Sequence, residues 1–271
     1  MDGSLTSVET PAPAPLVAPP APPRDYFAAR FIAVYAALVA ILVGATGALV
    51  AFGIHPGFGG GTRWSAWRPP SGSAATMTKE IADHLAPDYR LQSGAEVDAI
   101  VPSAPTVTAG TSTISIGAVA IHQTTGHTDV QPVSDSSTTM YTLCGLGSHC
   151  SIRTGKPSIT RGQLVHREGL EVALYTFKYV HGIQSVIVFM PPAVGATATT
   201  VLYYQRSDLQ YPLSRPLRDT LPLALPPRST TTDTVEGGTI DALTYPHLYT
   251  SALTQLQPGG ALLILTPIPI A

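Results

Sequence analysis

Residues 161–190 read RGQLVHREGLEVALYTFKYVHGIQSVIVFM, and the hydrophobic periodicity changes within this stretch. Apolar side chains recur at three- and four-residue intervals from Leu170 to Val180, which is typical of one face of an α-helix. Residues 185–190 then form a nearly unbroken apolar run closed by two prolines, which indicates a strand buried on both faces. The stretch predicts a helix over 161–180 that packs on a central strand.

The ends of this helix also have recognisable signals. Thr160 and Gln163 have the spacing of a capping box at its start, and Gly182 is placed as its C-terminal stop. The face opposite the apolar one is polar and is expected to face solvent: Glu171, Tyr175 and Lys178.

Shorter segments on either side complete the outline of a domain. Val- and Ile-rich runs bounded by Pro, Gly and Ser predict strands over 96–101, 113–122 and 199–205, and a hairpin over 248–265 that turns at 257–260. Further predictions are a first helix at 78–85, a short helix opened by Ser207 and Asp208, and a long Pro/Thr-rich loop at 215–238. This order favours an α+β fold, with helices packed on a mixed or antiparallel sheet.

The chain ahead of this domain predicts a membrane anchor. Residues 1–30 are a disordered Pro/Ala-rich tail. Residues 31–54, FIAVYAALVAILVGATGALVAFGI, carry no charge and are long enough, at about 1.5 Å per residue, to cross about 30 Å of hydrocarbon. A helix in a soluble core would show a polar face, and a cleaved signal peptide would have a shorter apolar run. We therefore expect an uncleaved transmembrane helix. A Gly/Pro/Ser-rich juxtamembrane tether at 55–75 then leads to the globular domain, 76–271.

The orientation of this span is not decided by charge alone. Arg24 and Arg30 precede the span, and Arg63 and Arg68 follow it, so the count of positive residues is nearly equal on the two sides. The domain after the span is poor in lysine and carries the chain's two cysteines, which suits an oxidising compartment. We therefore expect a single-pass cell-membrane protein with a cytoplasmic N-terminus and an extracytoplasmic domain.

Both tryptophans of the chain, Trp64 and Trp67, lie in the tether beside Arg63 and Arg68. At a bilayer surface, indole rings sit at the headgroup level and arginines meet lipid phosphates, so these four residues are candidate membrane-interface contacts. The alternative is that both indoles pack on the domain, and the preceding glycine run permits either arrangement.

The most distinctive local cluster is Cys144-Gly-Leu-Gly-Ser-His-Cys150. Outside the cytoplasm, a disulfide between Cys144 and Cys150 that closes a small glycine-turned loop is the favoured interpretation. A soft metal site of Cys144, His149 and Cys150 is a second possibility, although zinc ligands are usually spaced by two to four residues. Free or redox-active thiols are a third.

Composition and motifs weigh against several classes of protein. A net charge of −2 with 12% charged residues offers no basic footprint for nucleic acid. No Walker loop, dinucleotide fingerprint, G-x-S-x-G elbow or H-E-x-x-H motif occurs, so no cofactor, metal or catalytic residue is indicated. Glycosidase chemistry needs two carboxylates, and the candidates on predicted elements are expected to be ordinary surface residues: Glu168, Glu171, Asp208 and Asp241.

These observations predict a non-catalytic envelope protein, a binding or scaffold module that contacts another protein or a cell-wall component through loops. The Tyr-rich stretches at 203–204 and 245–249 are candidates for its contact surface. Two alternatives are an extracytoplasmic hydrolase whose site residues converge from separate elements, and a subunit of a larger membrane complex that packs through Gly44 and Gly47 of the span.

Overall fold

The computed structural model describes residues 63–269 except 110–111, 124–125, 135, 197, 227–233 and 257–258. The predicted tail at 1–30, the predicted span at 31–54 and the first part of the tether lie outside the described residues. Among the helices that are described, none is both long enough and apolar enough to cross a bilayer. The membrane anchor therefore stays a prediction.

The described part of the chain forms one mixed sheet with helices packed on it, which confirms the α+β class. The strands are β1 (Asp98–Ser103), β2 (Thr106–Ala109), β3 (Ser112–His122), β4 (Thr128–Pro132), β5 (Thr138–Gly145), β6 (Ser185–Phe189), β7 (Thr200–Gln205), β8 (Leu248–Leu256) and β9 (Gly260–Pro267). The α-helices are α1 (Ala74–Leu85), α2 (Ile159–Tyr179), α3 (Gln210–Leu213) and α4 (Thr234–Thr244). Short 3₁₀ turns at Arg206–Leu209 and Tyr245–His247 precede α3 and β8.

The strand order is β1-β5-β6-β7-β8-β9-β3-β2, with β4 also paired to β3. The pairs β5–β6 and β3–β9 are parallel and the others are antiparallel. Because adjacent strands twist in one sense, a sheet of this width curls, and here it is nearly closed. The curled sheet has an inner face and an outer face that the helices cover.

Alternation along the strands places side chains in two separate cores. On β6, Val186 and Val188 pack in the outer core against the helices, while Ile187 packs in the inner core. On β7, Leu202 and Tyr204 face the outer core, and Val201 and Tyr203 face the inner one. The double burial predicted for the apolar run at 185–190 is thus present, because both faces of the central strands are covered.

Helix α2 begins two residues earlier than its predicted capping box implied. Its N-cap is Ser158, whose hydroxyl accepts a hydrogen bond from the Arg161 backbone N–H at 3.2 Å, so the assignment of Thr160 as the cap was wrong. At the other end, Gly182 has φ +86°, the left-handed conformation that favours glycine after a helix.

The second face of α2 is not the solvent face that its polarity predicted. Lys178 is exposed, but Glu171 and Tyr175 are only 8% and 4% exposed. Helix α1, helix α4 and the segment that starts at Trp64 cover this side of the helix. The polar face of α2 is therefore a second buried interface of this helix.

Three strands and one helix were missed from the sequence: β2, β4, β5 and α4. Helix α4 begins within the predicted loop 215–238. It was missed because its first turn reads TVEGG, and glycine and threonine have low helix propensity. Strand β5 is rich in threonine and ends in the cysteine cluster, which obscured its alternation.

Candidate functional site

Cys144 and Cys150 form a disulfide, with Cα atoms 4.3 Å apart, which confirms the bridge predicted from their spacing. Each sulfur is bonded to the other, so neither is a thiolate ligand for the metal site considered with His149. No group of three His, Cys, Asp or Glu side chains in the described ranges could hold a metal ion.

The loop inside the bridge depends on glycine at its entry. A Cβ added at Gly145 would lie 2.4 Å from the backbone carbonyl of Ser151, closer than any side chain can approach. His149 and Cys150 both adopt positive φ, at +53° and +61°, so the chain makes a tight left-handed turn before it leaves the loop. The turn brings 151–153 back against the end of β5.

The structure places both tryptophans of the tether on the domain. Trp64 is 8% exposed, packs edge-to-face on Tyr175 with ring centroids 5.4 Å apart, and points its Nε1 at the Pro212 carbonyl 3.4 Å away. Trp67 stacks on His84 at 3.9 Å. Their neighbours Arg63 and Arg68 are exposed, and a lipid contact by this segment remains a prediction.

The carboxylates expected on the surface of α2 lie instead in the outer core. Glu168 is fully buried and Glu171 nearly so, which corrects the expectation that both are solvated. Asp208 and Asp241 are partly or fully exposed, and Asp241 accepts a hydrogen bond from Gln163 at 3.1 Å. The four candidates do not converge on one cleft.

Arg167 organises the buried charges. Its Nε donates to Glu236 Oε1 at 2.8 Å, its Nη1 to Glu171 Oε2 at 2.8 Å and to Tyr89 Oη at 2.7 Å, and its Nη2 to the Leu223 carbonyl at 2.8 Å. Burial alone would lower the pKa of Arg167, but these neighbours outweigh it and raise that pKa further. Arg167 therefore stays charged, and four of its five N–H groups are bonded.

A second buried pair, Asp98 and Glu168, has a different electrostatic balance. Both residues are fully buried, and no other described group donates a hydrogen bond to their carboxyl oxygens. Burial raises the pKa of Asp98 to about 7 and the pKa of Glu168 well above its ordinary value, and the two groups repel each other when both are ionised. A hydrogen bond between the two carboxyls requires a proton on one of them, so the two groups titrate as a pair.

These buried groups give the helix layer its polar interior. Neither Arg167, at 1% exposure, nor the Asp98–Glu168 pair opens on a described cavity. Buried ion pairs more often fix an arrangement of elements than perform chemistry. A ligand site instead needs polar groups that converge on open space.

Such a place exists at one end of the curled sheet, where β3, β7 and β9 end and β4 and β8 begin. We call it the mouth. A cavity of about 460 Å³ lies there, lined by the ends of these strands and by the turns at 206–209 and 245–247. Its polar and aromatic lining includes His122, Asp129, Tyr203, Asp208, His247 and Tyr249. Ends of curled sheets and barrels are common ligand sites.

The side chains of the mouth hold one another in place. Gln131 is central, because its Oε1 accepts from the Tyr203 hydroxyl at 2.9 Å and from the Gln205 amide, while its Nε2 donates to Asp129 at 3.2 Å. Gln205 separates the mouth cavity from a neighbouring one of about 350 Å³, which is also lined by Gln131 and Gln184. The amides thus form a fixed polar wall between two cavities.

A histidine and a carboxylate meet on the opposite side of the mouth. His247 Nδ1 lies 3.7 Å from Asp208 Oδ2, which also accepts from the Gln205 backbone N–H at 2.7 Å. Burial lowers the pKa of His247, although the carboxylate opposes that shift. His247 is therefore neutral at pH 7 and can both donate and accept a hydrogen bond.

The floor of the mouth is aromatic. Tyr203 and Tyr249 meet edge-to-face with ring centroids 6.5 Å apart and close the end of the inner core. Both belong to the Tyr-rich stretches that the sequence marked as candidate contact residues, whereas the flanking Tyr204 is turned to the helix side. Sequence reasoning missed their polar companions Asp129 and His122, because no local pattern links residues that meet only when the sheet curls.

A third cavity, of about 310 Å³, lies beside the start of α2, between the 152–158 loop and the turn after β6. Its wall is mostly apolar, and its polar members are Ser158, Arg161, His166 and Thr200. The Arg161 guanidinium already donates to the Thr154 carbonyl at 2.9 Å. This groove has fewer convergent polar groups than the mouth.

Comparison with known proteins adds no identity to this geometry: no protein-family model, no curated protein and no solved structure matches the chain.

Proposed function

We propose that this protein is a membrane-anchored, extracytoplasmic binding module, and that the mouth of its curled sheet is the ligand site. The observation that carries the proposal is the convergence of polar and aromatic side chains from several strands on one open cavity. Their hydrogen bonds to one another pre-organise the cavity, which lowers the entropic cost of binding.

The location follows from three features that agree with one another. The uncharged run at 31–54 has the length of a membrane span, the domain after it is poor in lysine, and its two cysteines are joined in a disulfide. Exposure of such a domain to a reducing cytoplasm would leave the cysteines as thiols. We therefore assign the mouth to the outside of the cell membrane, where its ligand would be a component of the envelope.

Location is tested by labelling intact cells with a membrane-impermeant maleimide before and after reduction. Adducts at Cys144 and Cys150 that appear only after reduction support an external, bridged domain. Labelling that requires cell lysis, and then no reductant, would place the domain in the cytoplasm and refute the assignment.

Binding through the mouth is tested by filling the cavity. Gln123 lines the mouth and is exposed, so Gln123→Trp adds bulk there without disturbing the core. Gln255 is exposed near the opposite end of β8, and Gln255→Trp is the matched control. We expect the full-length chain, in detergent, to co-sediment with envelopes of its source cells, and Gln123→Trp alone to reduce the retained fraction at least tenfold. Equal retention of both variants would exclude the mouth.

A second candidate function is glycoside hydrolysis, because two carboxylates, Asp129 and Asp208, line the same cavity. Both already accept hydrogen bonds, Asp129 from Gln131 and Asp208 from the backbone of Gln205, so each has a structural role. Release of reducing ends from envelope glycans by the wild-type chain, abolished by Asp129→Asn, would favour the enzyme over the binding module.

A further inference from the structure

We propose that the ligand of the mouth is a neutral saccharide, a short stretch of envelope glycan whose ring packs on Tyr249 and whose hydroxyls bond to the amides and carboxylates of the cavity wall. This inference rests on the proposed binding function and adds the chemical class of the ligand. Three properties of the mouth support it: its charge, its hydrogen-bonding groups and its aromatic floor.

The charge of the mouth disfavours anionic ligands. Among the described residues that line the larger cavity there are two aspartates, Asp129 and Asp208, and neither lysine nor arginine. The nearest guanidinium that lines the adjoining cavity is that of Arg206, which donates to the Ile183 carbonyl at 3.0 Å and lies 5.4 Å from the centre of the Phe177 ring. A phosphate, a nucleotide or an acidic glycan would therefore meet carboxylates without a free cation to pair with.

The hydrogen-bonding groups suit hydroxyls. A hydroxyl both donates and accepts, so a polyol is best matched by a wall that mixes acceptors with amide and imidazole groups. The mouth offers the carboxylates of Asp129 and Asp208, the amides of Gln123 and Gln205, and the neutral imidazole of His247. An apolar lipid would leave most of these groups unpaired, which costs binding energy.

The aromatic floor suits the other face of a sugar. A pyranose ring carries C–H groups on one or both faces, and these pack on a flat aromatic ring while the hydroxyls point sideways to polar partners. Tyr249 is half-buried, and its ring is held by an edge-to-face contact with Tyr203. The hydroxyl of Tyr203 is already bonded to Gln131, so the floor is rigid before a ligand arrives.

The size of the mouth fits a short oligosaccharide. The two cavities share Gln205 and have volumes of about 460 and 350 Å³. Each lies within the range of about 300–1,000 Å³ that is usual for small-molecule sites. Both cavities are open to solvent, so a linear glycan can place one part in the larger cavity and cross over the top of the Gln205 side chain into the smaller one.

The test is calorimetric titration of the full-length chain, in a detergent without a sugar headgroup, with four neutral tetrasaccharides and one acidic oligosaccharide. The neutral probes are cellotetraose, maltotetraose, mannotetraose and chitotetraose, and the acidic one is tetragalacturonate. We expect at least one neutral probe to bind with a Kd below 1 mM, and tetragalacturonate to bind at least tenfold more weakly. Binding of no neutral probe, or stronger binding of the acidic one, would overturn the proposal.

Variants locate the binding. Tyr249→Ala should weaken the affinity for the bound saccharide at least tenfold, whereas Tyr249→Phe, which keeps the ring, should weaken it less than threefold. Tyr211→Ala, at a tyrosine that is 71% exposed and outside the mouth, is the matched control and should change nothing. If Tyr249→Ala does not fold, Gln123→Trp provides the same test. Saccharide binding that none of the mouth variants weakens would also overturn the proposal.

The saccharide can fail while the binding function stands. Retention on envelopes that Gln123→Trp abolishes, together with no binding of any tetrasaccharide, would keep the mouth as a binding site and overturn the neutral saccharide as its ligand. If envelope retention does not depend on the mouth and no tetrasaccharide binds, the binding function and the saccharide ligand are both refuted.

Discussion

The Arg167 guanidinium donates through Nε to Glu236 Oε1 at 2.8 Å and so joins the middle of α2 to the first turn of α4. The same side chain reaches Glu171 and Tyr89 through Nη1, which ties the turn after α1 to the same point. One buried cation thus connects three parts of the helix layer. Helix α4, whose glycines and threonines give it little helix propensity of its own, gains from this tertiary contact.

The first prediction concerns this cation. Arg167→Met should lower the free energy of unfolding by about 3–5 kcal/mol, because it leaves Glu171 and Glu236 buried without their counter-charge. Lys79→Met removes an exposed partner of Asp83 and should leave the free energy of unfolding almost unchanged. Urea denaturation of the full-length chain in detergent measures both. Equal effects of the two substitutions would show that the Arg167 network contributes little to stability.

The second prediction concerns the pH dependence of stability. Burial holds the pKa of Asp98 at about 7 and raises that of Glu168, whereas in an unfolded chain both carboxyls titrate near 4. The folded state therefore binds more protons between these values, so this pair's contribution to stability is complete below about pH 4 and is lost as pH rises through about 7. The loss should reach about 1.4 kcal/mol per pH unit for each proton involved.

The pair can be separated from the other titrating groups by substitution. Asp98→Asn combined with Glu168→Gln removes both carboxyls, and this variant should lose less stability than the wild type between pH 5 and pH 8. Arg167 and Glu171, which also face Glu168, are unchanged in it. Asp83→Asn, at an exposed carboxylate, should leave the wild-type slope unaltered. A double variant with the slope of the wild type would show that the pair is not protonated in the folded protein.

The third prediction concerns the disulfide loop. Gly145→Ala should destabilise the domain by about 1–3 kcal/mol, because its methyl group would clash with the backbone of Ser151 and push the turn apart. Gly117 on β3 has open space around the position of a Cβ, so Gly117→Ala is the matched control. Thermal unfolding and the fraction of oxidised Cys144 after refolding measure the effect. Similar behaviour of the two variants would mean that the turn can relax at no cost.

The order of helix α2 and strand β6 was predictable because both are specified by local periodicity. The polar face of α2 led to a wrong prediction of solvent exposure, because local periodicity contains no information on what packs against a helix. Polar residues such as Glu168 and Glu171 have the same spacing on a helix whether they face water or a second layer of structure. Whether they are buried depends on the segments that pack on them, which here come from α1, α4 and the region of Trp64. Local periodicity therefore predicts that a helix forms at α2, but not whether its polar face is buried.

The mouth could not be predicted from the sequence, because its residues are far apart in the chain. His122 and Tyr249 come from β3 and β8, and they meet at one cavity only because the strands are ordered β8-β9-β3. Tyr203 and Tyr249 were marked as candidate contact residues by composition alone. Their assignment to one site required the curl of the sheet and the alternation that turns both rings inward.

The last prediction distinguishes the two arrangements of the tether. Trp64 packs on Tyr175 and Tyr179 and is 8% exposed, so its indole should be shielded from lipid even if the chain is anchored close by. In single-tryptophan variants of the full-length chain, made by Trp67→Phe or Trp64→Phe and reconstituted in bilayers, brominated lipids should leave the emission of Trp64 unquenched. The half-buried Trp67 is the internal comparison. Strong quenching of Trp64 would show that the segment leaves the domain and lies among the headgroups, and Arg63 and Arg68 would then be its partners for lipid phosphate.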